Sequence, residues 1–296
     1  MRIGEDGSTE GDTAALPPPT PLGAREREEN FPVALRFLPR RHRRDLHAVY
    51  AFARTVDELG DTAPGDRTAL LHRFDEQLDR VWTGDPVSEP VLVDLERVAR
   101  AHDLPAEPFH RLVRANLQDQ SVARYATFAD LIDYCRLSAD PVGRIVLGLF
   151  GRSDPATVRR SDRVCTALQL LEHWQDVGED RRAGRVYLPQ EDLHAHGVSE
   201  SDLDAATATP ELAALMRFEV DRAAGLLEEG AGIVSRLHGW ARPCVAGFVA
   251  GGRSTVAALR RTDGDVLGCT TTPSTAGTAG HLVALLAGAA VGGSRR

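Results

Sequence analysis

Apolar residues recur every three or four positions through most of this chain, and no stretch alternates cleanly enough for a sheet. The pattern runs through 46–59, 67–82, 90–101, 107–119, 128–137, 142–150, 155–178, 210–238 and 243–260. A period near 3.6 predicts amphipathic helices that bury one face. Asp154-Pro155 and Thr209-Pro210 each put a capping side chain before a first-turn proline, and Thr127 with Asp130 resembles a capping pair. Pro64-Gly65-Asp66, Gly84-Asp85-Pro86, Pro105 and Pro189 break the segments apart. No linker interrupts residues 25–261, so the expectation there is one all-α domain.

The flanks read differently. Residues 1–24 are polar, with Pro17, Pro18, Pro19 and Pro21 close together, and have too little to bury, which predicts a disordered segment. Residues 262–296, rich in Ala, Gly and Thr, read as a flexible tail. The apolar stretch Leu282 to Val291 is about half of the roughly 20 residues that a membrane-spanning helix needs. Acidic residues and glycine stand where the apolar core of a signal peptide would be. The expectation is a cytoplasmic, soluble protein.

The formal charge of -8 argues against a general nucleic-acid binder. It leaves small anions open, because an Arg cluster or a bound cation reverses the local field. Cys135, Cys165, Cys244 and Cys269 are far apart and form no C-x-x-C pair, as expected of free thiols in a reducing compartment. His42, His47, His173, His194 and His196 make no zinc ligand set with them, and His173 reads as a packed or edge histidine.

Two stretches carry the chemistry. YAFARTVDELGD (50–61) and CTALQLLEHWQDVGED (165–180) each have an apolar helical body ending in two aspartates four residues apart: Asp57 with Asp61, and Asp176 with Asp180. Positions i and i+4 share a helix face, so the carboxylates repel and slightly destabilise the apo helix. A divalent cation removes that penalty; magnesium takes one or two carboxylates together with substrate phosphates. Gln169, Glu172, Asp176 and Asp180 follow spacings of three, four and four and predict one polar stripe. Arg54, three residues before Asp57, could pair with that carboxylate or contact a diphosphate; Arg185 and Tyr187 in GRVYLP (184–189) follow the second pair closely and could close over the site. Tyr50 reads as core or cavity wall, where an aromatic face could also meet a cation. A single DxxxD on a helix is more often a solvated face; two of them, each after an apolar run, favour a metal-assisted reaction.

With these residues in hand, the chain resembles the squalene and phytoene synthase family of head-to-head prenyl synthases. ENFPVALRFLP (29–39), YAFARTVDELGD, YCRLSADPVG (134–143), LEHWQDVGED (171–180) and GRVYLP occur in that family's order and spacing. The forms ENFPVA, SADPVG and WQDV followed by YLPQEDL look most like the hydroxysqualene synthase branch of the bacterial hopanoid pathway. The resemblance implies an antiparallel helical bundle of the isoprenoid synthase type around a central apolar cavity. It implies Mg²⁺ held by Asp57, Asp61, Asp176 and Asp180, and places Arg54 and Gln169 at the diphosphate end.

The branch implies loss of diphosphate from presqualene diphosphate, cation rearrangement and capture by water. Condensation of two farnesyl or geranylgeranyl diphosphates is the alternative within the family, and a non-catalytic prenyl diphosphate-binding protein is the alternative outside catalysis. An upstream synthase supplying presqualene diphosphate, and a peripheral contact with the inner membrane face, follow from the insolubility of such substrates. The chain departs from the family pattern at Glu58, for the usual second Asp, and at Glu172, for the usual metal-facing Asn. It departs also at Gln175, where many relatives have Arg, and at Leu137, near where squalene synthases carry an aromatic residue.

Overall fold

The structure, a computed structural model, describes residues 38–269 and 271–293. The 1–24 segment and most of the 29–39 motif lie outside these residues. Helix α1 (Arg40–Asp61) is followed by α2 (Arg67–Thr83), α3 (Pro90–His102) and α4 (Glu107–Asp119). Then come α5 (Phe128–Ser138), α6 (Asp140–Leu149), α7 (Pro155–Gln175), α8 (Val177–Arg182) and α9 (Gln190–Ala195). A 3-10 turn (Glu200–Asp204) leads into α10 (Pro210–Ala231), α11 (Ile233–Arg236), α12 (Ala241–Arg261) and α13 (Thr275–Gly293). Among the described residues there is no strand, only an isolated parallel bridge between Arg124 and Val186.

Local chemistry sets the helix starts. The Asp66, Asp154 and Thr209 side chains accept from the backbone N–H groups of Ala69, Thr157 and Leu212, and Thr127 with Asp130 makes a reciprocal capping box. Each such cap is worth about 1 kcal/mol.

Two apolar clusters hold the helices. The first joins α1 to α4 around Phe52, Phe74 and Phe109, with Phe52 edge-on to Phe109 at 5.3 Å between ring centres. The second joins α5 and α7 to α13 around Trp174, Leu170, Leu215 and Met216. Helix α6 sits between them: Ile145 and Val146 face the first cluster and Leu147 the second. Each fully buried Phe or Leu contributes roughly 1.5–3 kcal/mol.

Three readings of the sequence need correction. The run 155–178 is not one helix: α7 stops at Gln175, Asp176 takes φ -104° and ψ 13°, and α8 starts at Val177. Val177 and Gly178 are poor helix formers, and Leu267 packs against Gly178 so closely that a Cβ there would lie 3.3 Å from its Cδ2. The run 210–238 breaks at Gly232. The stretch 262–296, read as a flexible tail, contains the helix α13, which packs on α12. Leu282, Leu285 and Leu286, at helical spacing, pack against the second cluster, and Ser274 accepts from the N–H of Gly277 at 3.2 Å to start the helix. Among the described residues, no helix is long and apolar enough to cross a membrane.

Candidate active site

The first aspartate pair lies on the last two turns of α1, an unbroken helix, with both side chains exposed. Helix α4 grips that end. Asn116 donates to Asp57 Oδ1 at 3.2 Å, and Gln120 donates to the Gly60 carbonyl at 3.0 Å. Gly60 stands between the two aspartates because a Cβ there would overlap the Asn116 side chain. Arg54 pairs with Glu58 at 3.6 Å, one turn on, rather than with Asp57. Tyr50 lies half-buried two turns before Asp57.

The second pair straddles the break between α7 and α8. Gln169, Glu172, Gln175 and Asp176 line a cavity of about 540 Å³. Asp180, beyond the break, faces elsewhere: its Oδ2 lies 3.7 Å from His173 Nδ1. The predicted stripe is therefore split at Asp176. Burial pushes the Asp176 carboxyl up to about 6, and neighbouring Asp180 and Glu179 push the same way, with no basic group among the described residues opposing them.

A third set of residues lies between the pairs. Arg185 donates to Asp61 at 3.0 Å, so the strand-like GRVYLP segment reaches across to α1. That segment is held by the Val186 N–H on the Ala123 carbonyl and by Arg124, which donates to Gly184 O and pairs with Glu200. The Tyr187 ring stacks on His173 at 3.6 Å and lies 5.8 Å from both Tyr125 and Tyr134. Burial lowers the His173 pKa, which keeps the imidazole neutral, and its Nε2 lies 3.2 Å from Gln169 Nε2. That arrangement assigns the proton to Nδ1, facing Asp180, and leaves Nε2 to accept from Gln169.

Asp119, at the end of α4, was not foreseen. Its Oδ2 accepts from Tyr134 at 2.8 Å, while its Oδ1 is buried without a hydrogen-bond partner. Burial raises its carboxyl to about 6; Tyr134 and Arg185 pull it down, Asp61 and Asp57 push it up. Burial alone would lower the Arg185 pKa, but Tyr187, Asp61 and Asp119 raise it, so its charge is secure. A signal existed in the sequence: Asn116, Asp119 and Gln120 form a polar cluster, at spacings of three and four, at the end of an amphipathic helix.

Asp57, Asp61, Asp119, Arg185, Tyr187 and Asp180 thus share one electrostatic neighbourhood, since Asp119 acts on both sides of it. Among the described residues, no three acidic, histidine or cysteine side chains are gathered into a ready-made metal cage. The cavity runs from the Asp176 end along α7 to Ser161, between α6 and α12, with Val142, Val146, Leu168, Val245 and Phe248 among its apolar walls. From Ser161 to Gln175 is about four helical turns, roughly 21 Å at 1.5 Å per residue.

The model of the squalene/phytoene synthase family matches residues 24–278. This chain belongs to that family. It is similar to the hydroxysqualene synthase of Rhodopseudomonas palustris, 36% identical over 209 residues, covering 70% of this chain and 71% of that protein. It is similar also to the phytoene synthase of Mycobacterium tuberculosis, 34% identical over 236 residues, covering 78% and 77%. Among solved structures it resembles a squalene synthase from Alicyclobacillus acidocaldarius, with a TM-score of 0.76 and 42% identity over 81% of this chain and 90% of that one. A dehydrosqualene synthase crystallised with ligand gives a TM-score of 0.78 at 26% identity, over 89% and 92%. As a squalene/phytoene synthase family member, the protein is an all-α enzyme that processes prenyl diphosphates.

Proposed function

We propose that this enzyme is a hydroxysqualene synthase that removes diphosphate from presqualene diphosphate and lets water capture the rearranged cation. The observation that carries the reading is an apolar cavity lined at one end by Gln169, Glu172 and Asp176, which Asp180 links electrostatically to Tyr187 and so to the neighbourhood of Arg185 and Asp119. One end suits a hydrocarbon and the other a metal-bound diphosphate. The branch is supported by the similarity to named hydroxysqualene synthases and by the polar Glu172 on the cavity wall, where a water can be held.

The donor set fits a hard divalent cation. It is all carboxylate oxygen, and among the described residues the charged neighbours that shift Asp176 are acids. Asp57, Asp61, Asp176 and Asp180, with Glu172, would hold Mg²⁺; the family uses a divalent metal in ionising the diphosphate. Bound there, the metal neutralises charge on the departing diphosphate. Arg54 and Arg185 bind diphosphate oxygens, and Gln169 and Tyr187 position that end. The C–O bond breaks with its electron pair leaving on the diphosphate. The cyclopropylcarbinyl cation opens within apolar walls that exclude bulk water, the Phe248 ring among them; Tyr187, stacked on His173, and Tyr50 stand outside that lining. Water oxygen then forms the new bond and loses a proton.

A second reading rests on one observation: phytoene synthases match this chain over as much of its length at 34% identity. It is condensation of two farnesyl or geranylgeranyl diphosphates. Mass spectrometry of lipids made by the purified protein, with Mg²⁺ and no NADPH, separates the two. Hydroxysqualene from presqualene diphosphate alone upholds the proposal and places a partner synthase upstream. Presqualene diphosphate or hydrocarbon made from farnesyl or geranylgeranyl diphosphate transfers the case to the second reading.

We place the enzyme in the cytoplasm, in peripheral contact with the inner face of the membrane, because substrate and product are long hydrocarbons. Support comes from α13, whose described side chains include no acid, lysine or arginine and whose Val283 is 68% exposed. Flotation with neutral and anionic vesicles tests this; a protein that stays at the bottom of the gradient and works without lipid contradicts it.

A further inference from the structure

Three walls of the cavity are helices, α6, α7 and α12, each fixed by packing on the cores. The fourth is different. Thr271, Thr272 and Pro273 line the cavity from a stretch that is neither helix nor strand. Upstream, Asp265 accepts from the N–H groups of Ala208 and Gly268. Downstream, Ser254 donates to the Ser274 carbonyl at 3.2 Å. Between these anchors, among the described residues, the hydrogen bonds to the wall come from one side chain: Gln175 Nε2 donates to the Thr271 carbonyl at 2.8 Å and to its Oγ1 at 3.2 Å.

Gln175 is the last residue of α7 and the neighbour of Asp176, and its amide itself lines the cavity. The backbone break at Asp176 ends α7 at Gln175, where its side chain spans the gap to Thr271. A side chain with no N–H donor leaves the Thr271 carbonyl without this partner and the wall without its tie to α7.

We propose that Gln175 is the positioning residue for the Thr271–Pro273 wall, and that this wall encloses the prenyl hydrocarbon beside the diphosphate end. The inference rests on the reading that a prenyl chain occupies this cavity. It assigns Gln175 to the hydrocarbon and not to the diphosphate, although it adjoins a proposed metal ligand.

Gln175→Met keeps the side-chain length and removes the donor. Binding of two probes to the full-length chain tests the proposal: farnesol, a prenyl chain without diphosphate, and inorganic diphosphate with Mg²⁺. Farnesol affinity is expected to fall about fivefold or more, the order expected for one lost hydrogen bond, while diphosphate affinity stays within twofold.

Pro273→Gly loosens the same wall without touching α7. It is expected to weaken farnesol in the same direction, which keeps the test open if Gln175→Met fails to fold. Equal farnesol binding by parent and both variants overturns the proposal, as does parallel loss of both probes in Gln175→Met or a parent that binds no farnesol. A parent that binds farnesol but no diphosphate leaves this wall standing and overturns the ionisation reading instead.

Discussion

The two aspartate pairs have the same spacing but sit in different physical surroundings. Asp57 and Asp61 stand on a continuous helix, exposed, with Asn116 donating to one and Arg185 to the other. Asp176 sits at a helix break, half-buried, with Asp180 and Glu179 as its charged neighbours among the described residues and its carboxyl raised to about 6. One site is already compensated by the protein's own donors; at the other, burial and neighbouring acids both disfavour the charged form. Identical motifs in the sequence therefore differ in what the metal must do. On the proposed reading, a metal at α1 would compete with Arg185, and one at Asp176 would relieve a charge that burial and its acidic neighbours disfavour.

The largest effect that probes this contrast is on turnover. Asp57→Asn and Asp176→Asn are each expected to reduce diphosphate release by about a thousandfold or more, with circular dichroism unchanged. Unequal losses would mean that one pair does most of the work, and an unfolded variant would mark a structural carboxylate.

The glycines of the two motifs sharpen the contrast structurally. Gly60→Ala drives a Cβ into Asn116, whereas Gly178→Ala meets Leu267 at 3.3 Å, a contact that a leucine end can yield. Denaturant melts should show Gly60→Ala losing about 1–3 kcal/mol and Gly178→Ala about 1 kcal/mol or less.

Arg185→Gln removes the cation already paired with Asp61. Steady-state kinetics should show KM rising about tenfold, the order of one charge-assisted contact. An unchanged KM would leave Arg185 a structural tie only.

The smallest effect is on apo stability against pH. Asp176 binds its proton more tightly folded than unfolded, so its contribution falls as pH rises from about 4 through 6 and stays low above. Without metal, Asp176→Asn should therefore melt a few degrees higher than the parent at pH 8, with the advantage shrinking at pH 5. Metal affinity, which needs the carboxylate, should weaken as pH drops below about 6. An Asp176→Asn advantage that is the same at both pH values would contradict the assigned environment.

Much of this was legible in the sequence because it is local. Most helix spans followed from apolar spacing, starts from Thr127, Asp154 and Thr209, and the first acid pair from i,i+4 geometry, which the break at Asp176 denies to the second. What escaped depends on contacts between distant segments. Asp119 gains its environment from Tyr134, Arg185 and the first pair, and Arg185 meets Asp61 across 124 residues. Arg54 pairs with Glu58 where the spacing had also allowed Asp57. The break at Asp176 is a compromise between helix propensity and packing of Leu267 on Gly178. Helix α13 was hidden because its Ala and Gly content resembles a loose tail, and only packing of Leu282, Leu285 and Leu286 decides otherwise.

The central claim is that both acid pairs serve one metal-dependent ionisation. Diphosphate release from presqualene diphosphate, followed as Mg²⁺ is titrated into metal-free enzyme, tests it most directly. The account predicts no release without metal, saturable release with it, and near-complete loss in Asp57→Asn and in Asp176→Asn alike. Release that persists in excess chelator, or that survives loss of either aspartate, would contradict it.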